Sequence, residues 1–65
     1  MTKYVHIVQV HPVELGEPNL YKVKREEEFS DKNDAFAWML DYNLDHEHTK
    51  AVYLGRVNDA TGELE

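Results

Sequence analysis

Lys3-Tyr4-Val5-His6-Ile7-Val8-Gln9-Val10 is the stretch on which the fold turns. It is dense in β-branched and aromatic side chains, which fit a pleated, half-buried surface. Period-two alternation puts Val5 and Ile7 on one side and Tyr4, His6, Val8 and Val10 on the other. Both sides are largely apolar, which marks a central strand rather than an edge. Pro12 lacks an N–H and fixes φ, so the strand is expected to end near His11.

Residues 11–19, His-Pro-Val-Glu-Leu-Gly-Glu-Pro-Asn, follow as a connection with two prolines and a glycine. It exceeds the usual hairpin loop of about two to five residues. Its apolar members, Val13 and Leu15, are expected to tuck down onto the core. Leu20 to Phe29 is predicted as a second strand, with Tyr21 and Val23 alternating against Leu20, Lys22 and Lys24. Its lysines and glutamates suit an exposed edge, since charge discourages pairing with other chains.

Ser30 and Asp31 make good helix N-caps, and Asp31 and Asp34 place negative charge at the positive end of the helix dipole. A helix is predicted from about Asp31 to Leu44 or Asp45. Phe36, Met39, Leu40, Asn43 and Leu44 share one face of it. Trp38 and Tyr42 lie well round from that face, with Ala35 between, so the apolar arc is wider than one sheet can cover. Lys50 to Val57 is predicted as a third strand. Asn58 to Gly62 reads as a turn-like tail, and Leu64-Glu65 as a possible tag remnant outside the fold.

The elements give an α+β chain in the order β-β-α-β. The expected architecture is a three-stranded antiparallel sheet, order 2-1-3, with one helix packed on one face and a right-handed crossover. A single domain, residues 1–63, accounts for all of it. One sheet face is then left without a cover, which suggests a partner or a second copy.

Composition narrows the function. The chain has 65 residues, and 42% of them are hydrophobic, which suits a folded domain rather than a disordered one. Small-molecule pockets run to about 300 Å³ and more, a volume that a core this small does not spare. A stand-alone enzyme is therefore not expected. Thirteen acids against seven bases give a net charge of −6 and an isoelectric point near 5.0. Lys22, Lys24 and Arg25 cluster, but Glu26, Glu27 and Glu28 follow directly. Direct nucleic-acid binding is disfavoured, since it needs a basic patch. An anionic membrane surface is disfavoured for the same reason. The longest apolar run, Ala35 to Leu40, is too short to span a bilayer, and no signal peptide is evident. The absence of cysteine fits a reducing cytoplasm and removes disulfides and thiolate metal sites.

No catalytic constellation stands out. Ser30, the sole serine, sits where a cap is wanted, and Gly16, Gly55 and Gly62 are too dispersed for a phosphate-cradling loop. Gly55 interrupts a strand of bulky residues, as at a bulge or beneath a helix aromatic. Asp45-His46-Glu47-His48 offers imidazole and carboxylate, adequate chemistry for zinc, but it matches no metal motif. It reads more simply as a polar helix end. No metal and no cofactor is expected.

Trp38 and Tyr42 are the candidate partner-binding residues. At i and i+4 they touch, and both types are enriched at binding hot spots. Asp34, Asp41 and Asp45 lie beside them, giving an aromatic anchor with an acidic rim. That suits a protein partner with a basic, partly apolar surface. In size, charge and element order the chain is similar to small accessory proteins of phages and mobile elements, many of which bind and block a host enzyme; the similarity implies a modulator of a host protein. The expectation is a small acidic, non-enzymatic interaction module that self-associates. The alternatives are an acidic inhibitor that mimics nucleic acid and a small metal-binding domain using His46, His48 and a carboxylate.

Overall fold

The computed structural model describes residues 3–64. It contains β1 (Tyr4–Glu14), β2 (Glu17–Pro18), β3 (Arg25–Phe29), α1 (Lys32–Asp45) and β4 (Thr49–Asn58). Every pairing is antiparallel and every one involves β1. β3 takes one edge of its middle, His6 to Val10, and β4 takes the other from Tyr4 to Pro12. This is the expected α+β fold, with the central first strand in place. The sheet has four strands rather than three, because β2 pairs with Val13 and Glu14.

That extra strand comes from a tight hairpin where a long connection was predicted. β1 does not stop near His11. Pro12 lies opposite Thr49, the Val13 amide donates to the His48 carbonyl at 2.8 Å, and the Pro12 carbonyl accepts from Asn19. A proline is tolerated here because the ladder needs its carbonyl and not an N–H. The turn itself is Leu15-Gly16, with φ of 55° and 82°. Two successive positive φ values mark the two-residue turn whose twist matches the strands it joins. Leu15 is not tucked down. It is fully exposed at the tip, while Val13 is half-buried.

The second predicted strand begins five residues late. Asn19 folds the chain into a turn: its Oδ1 accepts from the Tyr21 amide at 3.0 Å and its carbonyl from the Lys22 amide at 3.2 Å. His11 Nδ1 then donates to the Lys22 carbonyl at 2.7 Å. Backbone groups satisfied in this way need no ladder. Tyr21 and Val23 consequently face outward rather than inward.

α1 starts as predicted. Asp31 is the N-cap, its Oδ1 accepting from the Asn33 amide at 2.8 Å. On the sheet it is rotated by roughly 100° from the predicted orientation, so that of the predicted face only Met39 and Asn43 turn inward. Ala35, Trp38, Met39 and Tyr42 pack on the sheet, while Phe36, Leu40 and Leu44 are exposed. Two residues explain the rotation. Ala35 is fully buried and lets the helix approach Val8, Val10 and Ala51 closely. Asn43 turns toward β4, its Oδ1 accepting from the Ala51 amide at 2.8 Å and its Nδ2 donating to the Ala51 carbonyl at 3.3 Å.

The core is therefore small: Val8, Val10, Ala35 and Ala51 beneath the helix, rimmed by Phe29, Trp38, Met39, Tyr42 and Tyr53, with Ile7 buried on the other face of the sheet. In β4 the register slips between Tyr53, opposite Val8, and Gly55, opposite Ile7, so Leu54 is an extra residue. Gly55 has a φ of 148° beside this bulge, a conformation that favours glycine. Beyond β4, Asn58 Oδ1 accepts from Ala60 and Thr61, and Leu64 bridges back to Val57. Leu64, predicted to lie outside the fold, thus pairs with β4; Glu65 lies outside the described residues.

Candidate functional site

The helix edge brings Trp38 and Tyr42 together as their spacing predicts. Their rings stack at 5.1 Å with 21° between planes. The stack continues in both directions. His46 lies on Tyr42 at 3.7 Å, almost parallel, and is held there by Nδ1 donating to the Tyr42 carbonyl at 2.8 Å. At the other end the Arg25 guanidinium sits 5.5 Å from the Trp38 ring centre, and Phe29 tilts against the same ring at 5.9 Å. The column thus runs Arg25, Trp38, Tyr42, His46 along the rim between helix and sheet. Helical spacing supplies Trp38 and Tyr42, the extended C-cap residue His46 folds back onto them, and Arg25 arrives from β3.

Both central rings are half-buried, so each keeps part of its surface in reach of a partner. Tyr42 is further fixed by a 2.8 Å hydrogen bond between its hydroxyl and Thr49 Oγ1. Asp34, Asp41 and Asp45 are all exposed. At 100° per residue they fall within a sector of roughly 40° immediately beside Trp38. None of the three carboxylates has an ion-pair partner among the described residues, where the pairs are Lys22 with Glu14 and Arg25 with Glu27. The arrangement is a preformed aromatic rim with an adjacent unneutralised acidic stripe.

The histidine cluster does not converge. His46 is committed to the column, His48 is exposed, and no group of three or more metal-ligating side chains forms among the described residues. No helix among them is long and apolar enough to cross a membrane. Two surface clefts have volumes of about 140 and 280 Å³. The larger is open and polar-rimmed, between Val13, Asn43, His46 and Thr49.

Two features escape a reading of the sequence. One is a second ring cluster across the helix, where Lys32 lies over Phe36 and Tyr53 at 5.6 and 5.7 Å and His6 Nδ1 meets the Tyr53 hydroxyl at 2.9 Å. The other is the smaller cleft, over His11. A histidine closing an otherwise apolar strand was the available signal for it. Compared with known protein families, with curated proteins and with solved structures, the chain finds no match.

Proposed function

We propose that the protein is a non-enzymatic interaction module, which binds a protein partner with a basic, partly apolar surface through the α1 edge. Trp38 and Tyr42 anchor the contact, and Asp34, Asp41 and Asp45 provide the charged rim. The observation that carries this reading is the unneutralised stripe of three aspartates alongside a ring column already fixed in place. Rings immobilised by stacking lose little conformational freedom on binding, which favours their use as anchors. Free carboxylates beside them attract basic partners and repel acidic ones. The net charge of −6 acts in the same direction over longer range. The modest cleft volumes agree with a protein that works by its outer surface, since ligand pockets usually start near 300 Å³.

The test is affinity capture with wild-type bait and with a triple variant, Asp34→Asn, Asp41→Asn and Asp45→Asn. All three positions are exposed, and circular dichroism verifies that the variant folds. A partner retained by the wild type should be lost by the variant and released as salt rises from about 50 to 300 mM. Equal retention by both baits at both salt concentrations would sink the reading.

A further inference from the structure

Gln9, His11 and Val52 alternate with the residues that face α1, so they belong to the opposite side of the sheet. With Leu20 and Leu54 they line a cleft of about 140 Å³. Its floor is His11, which is 3% exposed. A carbonyl can only accept, so His11 Nδ1 carries the proton it shares with Lys22. In the neutral ring, Nε2 then presents a lone pair. Among the described residues Nε2 has no hydrogen-bond partner and no side-chain nitrogen or oxygen is sealed away unpartnered. It therefore meets the solvent in the cleft. Gln9 donates its Nε2 to Glu26 at 3.0 Å, which leaves Oε1 as a second acceptor. The walls are aliphatic.

Such a site accepts a small apolar group that carries a hydrogen-bond donor. Its volume is close to the ~150 Å³ that holds one benzene ring. It suits a single phenol better than a whole metabolite.

The chain displays one such group next door. Tyr21 follows Leu20, a wall of the cleft, yet its side chain is fully exposed. Its backbone is nevertheless fixed by the Asn19 turn. A ring held out in water beside a ring-sized cleft is placed for exchange between two copies. Because ring and cleft are adjacent in one chain, a single two-fold axis near Leu20 serves both insertions. The contact then closes at two copies rather than propagating.

We infer that the open sheet face is a homodimer interface, in which Tyr21 of each copy fills the partner's cleft and donates its hydroxyl to His11 Nε2. Leu20, Val52 and Leu54 are covered in the process. Glu26 and Glu28 pair with Gln9 and Ile7 and so share this face. Two copies repel each other at low ionic strength, and the dimer tightens as salt is added. That is the opposite of the salt response of the α1-edge complex, so the two readings fail independently.

Sedimentation equilibrium up to about 1 mM protein decides the matter. The wild type should show a monomer–dimer equilibrium. Tyr21→Ala, or Leu54→Trp to fill the cleft, should weaken it by roughly 30-fold or more, as for an interface hot spot. Both positions are exposed, so the monomer fold survives. Tyr21→Phe should fall between, and free p-cresol should compete the dimer apart. A wild type that stays monomeric throughout, or a Tyr21→Ala variant that dimerises as well as the wild type, would overturn the inference. So would p-cresol binding in the cleft without any dimer.

Discussion

Val8 and Val10 point toward α1 and are sealed beneath Ala35 and a rim of larger side chains, whereas Val52 and Leu54, on the other side of the same sheet, stay in contact with water. The covered face is closed by small residues that let the helix come near and by rings that fill the margin. The open face is closed at two places, at Ile7, which is buried opposite Gly55, and where the Asn19 turn folds over His11. A single helix can finish one face of a sheet. What remains exposed on the other is surface available for association, and the two faces should respond to substitution very differently.

Val8→Ala probes the sealed side. It should cost about 2–3 kcal/mol in urea denaturation, because the cavity it opens has rigid walls. For a chain this size that is a large share of the total stability. A cost equal to that of changes on the open face would erase the contrast. Asn43→Ala should cost about 1–2 kcal/mol, since it leaves the amide and carbonyl of buried Ala51 unpaired. Faster hydrogen exchange at the Ala51 amide would locate the loss. Leu15→Asn should have the opposite sign. Leu15 holds a left-handed backbone conformation that costs an ordinary side chain about 1–2 kcal/mol, so asparagine should stabilise the hairpin by about 1 kcal/mol and raise the melting temperature. Leu54→Ala, studied where the monomer dominates, should change stability by less than about 0.5 kcal/mol. A larger loss would mean that the open face contributes to the monomer core.

Much of the architecture was legible in the sequence because local signals agreed with the global fold. The β-branched density of residues 4–10 identified the centre of the sheet, the Asp31 cap identified the start of the helix, and β4 fell within one residue of expectation at each end. The hairpin was hidden because leucine occupies a position where asparagine would have announced the turn, and because two prolines flank it. The orientation of α1 was misread because hydrophobicity alone favours Phe36, Leu40 and Leu44 over Trp38 and Tyr42. A tertiary hydrogen bond from Asn43 and the small size of Ala35 decided it instead. At the site, the Trp38–Tyr42 contact followed from helical spacing. Arg25 and the parallel His46 could not be foreseen, since one comes from another element and the other from beyond the last helical turn.

The pairing of β1 with β4 sets the order of events as the chain is made. His6 and its partner Tyr53 are 47 positions apart. At about 5–20 residues per second, a ribosome needs several seconds to deliver β4 after β1. Through that interval the most apolar strand of the protein has only the two-residue β2 and the glutamate-rich β3 as neighbours, and α1 has no complete sheet to settle on. Folding of this chain is thus a late, nearly all-or-none event dominated by a long-range closure, and slower than its length alone suggests.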